Sequence, residues 1–410
     1  MVKNTAKSGI NSKAMIDHNR SQVLHYLIKN GIASRAEIAK ETGLTAASIS
    51  KITAALIQQG ILTETEELSG GRGRKAIGLS LNRNRFKVVG VHFTRRSFSL
   101  GVFDLGGALY DSRTELISRA QGGLQCLRHI RSIIEDYIEK YPEIAAIGMA
   151  MPGPFLKKEG RISIMTNAPE WQSVDFNAEL QSIAGRPVFY EHDANAAAMA
   201  EWYYNTGCTD KSTLAVLFVD DGVGAGIVHD GMIFDGYKGY AAEIGHVSID
   251  VNGPQCPCGN YGCLELYCSA IETIKKVRRD LPEHPESSLN QLYDFDELDI
   301  FAAAESGDSY AKAVVKDVGF YLGCGIITLI YAYSPSAIVL GGRMANGGAI
   351  MLESILETVH SRLNDEITRG VEIMFSRMRT NSMLTGAATI ATNQLLLNLS
   401  SYIEEVDEGI

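Results

Sequence analysis

Cysteine is scarce outside one short segment of the chain, and this scarcity excludes a fold held together by disulfides. Four of the seven cysteines lie between Cys256 and Cys268, while Cys126, Cys208 and Cys324 are scattered. Disulfide frameworks belong to oxidising compartments, whereas clustered thiols in a reducing compartment usually bind metal. The sequence therefore predicts metal ligands together with free, buried thiols.

Apolar residues are also scarce at the start of the sequence, so we expect no signal region there. Its N-terminus, MVKNTAKSG, contains no apolar signal region, and we expect no uninterrupted apolar run long enough to cross a membrane. Hydrophobic residues at 45% and charged residues at 21% are ordinary for a globular protein, and 410 residues suffice for two or three domains. These features predict a cytoplasmic protein.

Positive charge is scarce in the larger, C-terminal part of the chain. Residues 1–85 contain 13 Lys and Arg against 6 Asp and Glu, a balance of +7. The remainder contains 25 against 42, a balance of −17. A basic head on an acidic body indicates that only the head meets a polyanion.

The basic head has the pattern of a winged helix-turn-helix DNA-binding domain, which we place at residues 1–82. Ser34 and Glu37 form a capping-box pair at the start of one helix. Gly43 suits the turn, and Thr45 can cap the helix that follows. Two strand-like segments, ILTETEE and KAIGLSL, then flank a Gly-rich, basic tip that resembles a wing.

DNA contact is predicted at the start of the second of these helices and at the wing. Small polar side chains and a lysine suit a helix in the major groove, and wing arginines suit phosphate or minor-groove contact. The predicted DNA-binding residues are Arg35, Thr45, Ala46, Ala47, Ser48, Ser50, Lys51, Arg72, Arg74 and Lys75. A small helical scaffold that binds protein is the alternative, but the caps, turn glycine, wing and local charge together favour DNA.

The body alternates strand clusters with helices twice, which predicts two α/β lobes separated by a cleft. We assign residues 83–195 to the first lobe, completed by a C-terminal helix at about 386–405, and residues 196–385 to the second. Segments such as TLAVLFV and AIVLGG are apolar enough for buried strands.

A stretch of the second lobe between Glu243 and Glu265 has the composition of a metal site. It contains the predicted ligands His246, Cys256, Cys258 and Cys263. One imidazole and three thiolates complete a tetrahedral zinc site and leave no position for a reacting water, so the metal would be structural. Buried thiols beside an ordinary histidine are the alternative, but CxCx4C in one Gly-rich loop is typical of ligands.

The motifs EIGH and CPCGNYGCLE resemble the signature of the ROK family, which comprises bacterial sugar-responsive repressors and sugar kinases. The segments DANAAAMAE and IVLGG fit the same family. With the winged head, the match covers nearly the whole chain and resembles the repressor branch, xylose-operon repressors in particular. The resemblance implies an actin-like, sugar-kinase-type ATPase fold, in agreement with the two predicted lobes.

The resemblance also implies a sugar in the cleft. Matched position by position, the sugar would be contacted by Asn167, Asp193, Glu243, His246 and Glu265. Carboxylates and amides suit vicinal hydroxyls, and His246 would use one ring nitrogen for zinc and the other for the sugar. Asp193 stands where the kinases have their base, but His192 replaces the asparagine that usually precedes it. A simple helix cap is the other interpretation of Asp193.

Both turns that hold ATP phosphates in the kinases are altered in this chain. The first turn has Thr94-Arg95-Arg96 in place of a glycine pair, and the second has Asp220 and Asp221 where polyphosphate would lie. Like charges at ~4 Å repel by about 4 kcal/mol near a protein surface. We therefore expect a sensor that binds sugar, needs no ATP and has no enzymatic activity.

The prediction is a sugar-responsive repressor that binds a palindromic operator as a homodimer or a dimer of dimers. A transporter or phosphotransfer protein is a further candidate partner. The alternatives are a sugar kinase with an added DNA-binding head, a zinc-responsive regulator, and a phosphosugar sensor that uses the two arginines of the first turn.

Overall fold

The computed structural model describes residues 12–68, 76–94, 97–117, 122–153, 155–157, 159–162, 171, 174–204, 208, 212–239, 241–378 and 382–403. Several residues named above lie outside this part of the chain, namely Arg72, Arg74, Lys75, Arg95, Arg96 and Asn167.

The head is a winged helix-turn-helix, which confirms the fold predicted for it. Its elements are α1 (Ser12–Asn30), β1 (Ala33–Ser34), α2 (Arg35–Thr42), α3 (Ala46–Gln58), β2 (Leu62–Leu68) and β3 (Ala76–Leu81). The capping box of Ser34 and Glu37 is present, and Gly43 ends α2 at φ +70°, a left-handed conformation that glycine adopts without strain. Buried Ile38 and Ile49 then hold α2 against α3.

The first lobe is built on a six-stranded sheet with the order β10-β11-β7-β4-β5-β6. Its elements are β4 (Lys87–Phe93), β5 (Ser97–Asp104), β6 (Leu109–Leu116), α4 (Gly123–Lys140), β7 (Ile144–Met151), β8 (Phe155–Leu156), β9 (Arg161–Ile162), α5 (Phe176–Leu180), β10 (Ser182–Ile183) and β11 (Arg186–His192). β4, β5 and β6 form an antiparallel meander, and β7 and β11 continue the sheet in parallel with β4.

The second lobe is built on a five-stranded sheet with the order β14-β13-β12-β15-β16. The remaining elements are α6 (Asp193–Tyr204), β12 (Thr213–Val219), β13 (Val223–His229), β14 (Met232–Ile233), α7 (Glu265–Cys268), α8 (Ala270–Asp280), α9 (Glu297–Glu305), α10 (Ser309–Tyr333), β15 (Ala337–Gly341), α11 (Gly348–Arg362), α12 (Asp365–Thr368), β16 (Glu372–Phe375) and α13 (Ser382–Leu397). Short 3₁₀ helices lie at Ile244–His246, Leu281–Glu283, Ser288–Gln291, Arg343–Gly347 and Leu399–Ser401.

The two sheets repeat one topology, because β12, β13 and β14 form a second antiparallel meander that β15 and β16 continue in parallel. This repetition confirms the two α/β lobes. The division proposed between residues 195 and 196 falls inside α6, and α13 packs on β4 and β7 of the first lobe. The domain limits themselves stay a prediction.

Helices α6 and α13 cross each other between the two sheets, and glycines allow the backbones to meet. A Cβ at Gly148 of β7 would lie 1.9 Å from the carbonyl oxygen of Ala387 in α13. A Cβ at Gly386 would lie 2.2 Å from the carbonyl oxygen of Ala196 in α6. A larger residue at Gly148 would push α13 away from β7, and one at Gly386 would push α13 away from α6, so these glycines set how closely the elements pack.

The head is docked on the body through α1. Asp17 Oδ1 accepts hydrogen bonds from the backbone N–H of Ser400 at 3.1 Å and from its hydroxyl at 2.6 Å, and Arg20 also donates to that hydroxyl. The ring of His25 meets Tyr203 of α6 edge-on, with the centroids 5.4 Å apart. Burial lowers the pKa of His25 to about 4, so this imidazole is neutral near pH 7. The orientation of the head is therefore tied to the body by direct contacts.

One helix in the described ranges, α10, is long and apolar enough to cross a membrane by length and composition alone. Of its most apolar window, 56% is buried inside the fold, where Val318, Leu322, Ile326 and Leu329 belong to the core of the second lobe.

Candidate functional site

The four predicted metal ligands lie together in the second lobe. Their ligand atoms are all within 4.8 Å of one another. Sγ of Cys256 is 3.7 Å from Nδ1 of His246, and Sγ of Cys258 is 3.7 Å from Sγ of Cys263. Tetrahedral zinc, with Zn–S of ~2.3 Å and Zn–N of ~2.0 Å, requires S–S and S–N distances of about 3.8 and 3.6 Å. The cluster therefore has the dimensions of a Cys3His metal site in which Nδ1 is the donor.

The loop that carries these ligands is held by its own hydrogen bonds. The side-chain amide of Asn260 donates to the carbonyl of His246 at 3.0 Å, and the Cys256 N–H donates to the carbonyl of Asn260 at 2.8 Å. Gly262 has φ +60°, and a Cβ there would lie 1.7 Å from the carbonyl oxygen of Asp250. Only glycine fits this crossing, which brings the distant parts of the loop around one point.

The thiols of this cluster resist ionisation without a cation. Burial raises the pKa of the Cys263 thiol to about 12, and burial also raises the pKa of Cys256. Since thiolates are the forms that bind zinc, a divalent cation would supply the charge that favours them. The residues present thus fit a structural metal ion.

Four of the five predicted sugar-binding residues lie in the described part of the chain. Asp193 is the first residue of α6, Glu243 immediately precedes the 3₁₀ helix that contains His246, and Glu265 is the first residue of α7. The charges of the other three all act on the ionisation of Glu243. The structure therefore brings these four residues together, whereas Asn167 lies outside the described residues.

Glu243 is the carboxyl of this cluster whose ionisation is opposed by its surroundings. Burial raises its pKa, the imidazoles of His192 and His246 lower it, and the carboxylates of Asp193 and Glu265 raise it again. Its Oε1 is buried and has no hydrogen-bond partner within the described residues. An unsatisfied buried acceptor of this kind is costly, and a ligand hydroxyl would satisfy it.

His192 lies beneath this cluster. Its Nε2 is 3.3 Å from Oδ1 of Asp193 and 3.9 Å from Oε1 of Glu243. A Cβ at Gly153 of the first lobe would lie 1.9 Å from the same nitrogen. The imidazole thus fits between residues of the two lobes because Gly153 leaves room for it.

The turn that would face phosphate in a kinase is filled by ion pairs within the chain. Arg343 bonds to Asp220 through Nε, lies 2.5 Å from Asp221 Oδ1 through Nη2, and lies 2.8 Å from Glu297 Oε1 through Nη1. Burial raises the pKa of Asp220, and Arg343 lowers it. Sequence analysis singled out the two aspartates of this turn but did not predict that Arg343 pairs with them. The sequence feature that could have pointed to Arg343 is its position directly after Gly341 and Gly342, at the end of β15.

A second group of ion pairs joins the two lobes, and sequence analysis did not predict it either. Lys157, in the turn after β8, bonds to Glu191 and lies 2.8 Å from Oδ1 of Asp235 in the second lobe. Asn195 donates to Glu191 at 3.0 Å. Burial lowers the pKa of Lys157, but the two carboxylates outweigh burial and raise it.

The predicted DNA-contacting residues divide into two groups. Ala46, Ala47, Ser50 and Lys51 are exposed on the first turns of α3, while Thr45 caps the helix by accepting from the backbone N–H of half-buried Ser48 at 3.1 Å.

Arg35 belongs to a different environment. Its Nε donates to Thr53 Oγ1 at 3.0 Å, and its Nη2 donates to Glu64 Oε1 at 2.9 Å. Arg35 therefore connects α2 to α3 and β2 within the head. The predicted wing residues Arg72, Arg74 and Lys75 lie outside the described residues. All these DNA contacts stay predictions.

Two protein-family models match the chain, one in the body and one in the head. A ROK family model matches residues 88–394, and a winged helix-turn-helix DNA-binding model matches residues 16–63. The chain belongs to the ROK family. It is 29% identical over 377 residues to the DNA-binding transcriptional dual regulator NagC of Escherichia coli (strain K12), covering 91% of this chain and 92% of that protein. It is 26% identical over 386 residues to the xylose repressor of Caldicellulosiruptor bescii, covering 92% of this chain and 96% of that protein.

Solved structures of ROK proteins also align with this chain. A ROK family transcriptional regulator described as a homologue of the E. coli MLC protein aligns with TM-score 0.78 and 28% identity, covering 94% of this chain and 97% of that one. The ROK hexokinase of Thermus thermophilus aligns with TM-score 0.63 and 28% identity, covering 76% of this chain and 99% of that one. This ROK protein thus shares its body with kinases and its head-plus-body organisation with regulators.

Proposed function

We propose that this ROK protein is a transcriptional repressor that responds to a sugar bound between its lobes and does not phosphorylate it. The observation that carries the proposal is the continuous link between site and head. Asp193 begins α6, and near the other end of α6 Tyr203 contacts His25 of the DNA-binding head. Relatives named as a xylose repressor and as a DNA-binding transcriptional dual regulator, each matched over more than nine-tenths of the chain, support the same function.

The sugar would occupy the space bounded by Asp193, Glu243, His246 and Glu265. Oε1 of Glu243, which is buried and has no hydrogen-bond partner among the described residues, is the acceptor that a sugar hydroxyl would satisfy. Because these residues come from both sides of the cleft, a bound sugar would favour one lobe orientation over the other. Operator affinity then changes by the difference in sugar affinity between the two orientations.

The DNA-binding form would be a homodimer, or a dimer of dimers, on a palindromic operator in the cytoplasm. A two-fold pair of heads matches two half-sites spaced by a whole number of helical turns. Residues at the start of α3 and at the wing would make the contacts.

The metal in the Cys3His cluster would be structural zinc. With Nδ1 of His246 facing the thiols, Nε2 remains for the effector, and a bound cation would fix the aim of the ring. Glu265 follows Cys263 by two residues, so the same loop also sets its position.

Substitution of Cys258 by Ser tests the zinc assignment. We expect Cys258→Ser to lose zinc, measured by elemental analysis, and to lose the thermal shift caused by sugar, while the head keeps its fold. The matched control is Cys324→Ser, a free thiol outside the cluster, which should keep both properties. A Cys258→Ser protein without zinc that still responds normally to sugar would contradict the dependence of Glu243 and Glu265 on the metal.

The repressor proposal is tested by gel shift on the DNA upstream of the protein's own gene. We expect a salt-dependent shift that changes with one sugar from a panel of D-xylose, D-glucose, N-acetyl-D-glucosamine and the 6-phosphates of the last two. The same sugar should raise the unfolding temperature, because a ligand at 100 times its Kd adds about 2.7 kcal/mol to the free energy of unfolding. Failure to shift that DNA, or no response to any sugar, would contradict the proposal.

A ROK sugar kinase with an added head is the second candidate, favoured by the similarity of the body to the hexokinase. ATP-dependent phosphorylation of a panel sugar, abolished in Asp193→Asn, would support it. The ion pairs that Arg343 makes in the second phosphate turn weigh against it, since Asp220 and Asp221 would meet polyphosphate there.

A further inference from the structure

Arg343 lies outside the sugar cluster, yet its contacts lead to one member of that cluster. Its guanidinium joins three carboxylates from two elements: Asp220 and Asp221 in the turn between β12 and β13, and Glu297 at the start of α9. Glu297 is only 1% exposed. Three carboxylates at such distances repel one another strongly, so the turn keeps this conformation because one guanidinium neutralises part of their charge.

The same turn holds the carboxylate of Glu265. The backbone N–H of Val223 donates to Oε2 of Glu265 at 3.0 Å. A Cβ at Gly222 would lie 2.7 Å from that oxygen, so the turn and the carboxylate fit closely. The carbonyl of Asp220 also accepts a hydrogen bond from Ala270 at the start of α8. The turn thus contacts both Arg343 and Glu265.

The backbone just before Arg343 is held in a close contact that restricts where this residue can lie. Gly342 has φ +86°, and a Cβ there would lie 2.2 Å from the carbonyl oxygen of Val219, the last residue of β12. The chain leaving β15 therefore passes directly against the strand that leads into the turn. Arg343, the next residue, pairs with both aspartates of that turn.

We propose that Arg343 is a positioning residue for sugar binding: by pairing with Asp220, Asp221 and Glu297 it fixes the turn whose Val223 N–H orients the carboxylate of Glu265. The proposal rests on the proposed function, since it assumes that Glu265 accepts hydrogen bonds from the sugar. In the kinases this turn serves phosphate. Here the arginine gives it a different task, which is to hold a side chain that binds sugar.

The test compares sugar affinity by calorimetric titration with the panel sugar that the wild-type protein binds. Arg343→Met alone removes the ion-pair partner that Glu297 has in the described part of the chain and can unfold the protein, so the main variant is Arg343→Met with Glu297→Gln. We expect its Kd for the sugar to rise about tenfold, with zinc content and sugar-free operator binding unchanged. Arg343→Lys should recover part of the affinity, because one ammonium can pair with fewer carboxylates than a guanidinium.

A double-mutant cycle separates positioning from general weakening. In a Glu265→Gln background, the Arg343→Met and Glu297→Gln pair should raise Kd less than threefold, because the carboxylate that Arg343 orients is already gone. The control is Arg278→Met, which breaks an exposed ion pair with Asp294 in the same lobe and should leave Kd unchanged. Equal effects of the pair in both backgrounds, or no change in Kd, would overturn the proposal alone. A wild-type protein that binds no sugar would overturn the proposed function.

Discussion

At the scale of single residues, Glu243 combines a cost to stability with a proposed role in sugar binding. Burial raises the pKa of this carboxyl above its ordinary value of 4.5, so the folded protein binds a proton more readily than the unfolded chain. The free energy of unfolding is therefore reduced at pH values above the raised pKa, and the penalty fades as pH falls towards 4.5.

Glu243→Gln should remove this penalty. We expect a higher unfolding temperature than wild type at pH 7.5 without sugar, a difference that shrinks as pH falls towards 4.5, and weaker sugar binding. Thermal unfolding across this pH range measures the first effect, and calorimetric titration measures the second. Glu286→Gln, an exposed carboxyl on the same lobe, is the control. A variant that is less stable at pH 7.5, or that binds sugar as wild type does, would contradict this account.

Sequence could predict which residues lie together here but not the side chains that support them. The three thiols and His246 were recognisable because CxCx4C in a Gly-rich loop fits metal geometry whatever surrounds it. Arg343 was not, since its partner Glu297 is 46 positions away and only the fold places the two 2.8 Å apart. A buried ion pair has no local sequence pattern.

At the scale of secondary-structure elements, α6 connects the proposed sugar site with the head. It begins at Asp193, the ring of its Tyr203 contacts His25 of α1, and α13 crosses it at Gly386. A helix is stiff over this length, so a shift at its first turn displaces its last turn. We infer that α6 passes the change in lobe orientation to α1.

Substitution of His25 by Leu should weaken this connection without destroying either site. The substitution removes the ring contact with Tyr203, while Asp17 and Ser400 still dock α1. We expect sugar affinity and sugar-free operator affinity to stay within about twofold of wild type, and the effect of sugar on operator binding to fall from a typical 5–150-fold to under about threefold. The control is His18→Leu, on the exposed face of the same helix.

Gel shifts with and without the active panel sugar provide the measurement. An unchanged ratio of operator Kd values in His25→Leu would show that the signal reaches the head by another contact.

The bounds of single helices were easier to predict from the sequence than the way the helices pack together. The bounds of α2 and α3 follow from local caps and Gly43, so sequence predicts them well. The docking of α1 depends on Asp17 meeting Ser400, 383 positions away, and on close backbone contacts at Gly148 and Gly386. Such long-range contacts leave no periodic pattern in the sequence, although the glycines mark where they occur.

At the scale of the whole molecule, charge separates the surface that meets DNA from the surfaces that do not. The balance is +7 over residues 1–85 and −17 over the remainder, so an acidic body is repelled by the phosphates that attract the head. Lys51 is exposed on α3, whereas Arg35 is bound to Thr53 and Glu64 within the head. Two cations of the same predicted DNA surface should therefore behave differently.

Lys51→Ala should weaken operator binding and make it less sensitive to salt. Each phosphate that a protein neutralises adds about 0.9 to the log–log slope, so a dimer without this lysine in either head should show a slope smaller by about 1.8. Arg35→Ala should leave the slope almost unchanged and lower the unfolding temperature of the head, because its hydrogen bonds to Thr53 and Glu64 join α2 to α3 and β2. Gel shifts at salt concentrations from about 50 to about 200 mM distinguish the two variants.

Lys275→Ala, exposed on α8 of the body, is the control for removal of a positive charge. A slope lowered equally by Lys51→Ala and Lys275→Ala would show that the DNA does not lie along α3, and a slope lowered by Arg35→Ala would show that this arginine leaves its partners to bind phosphate.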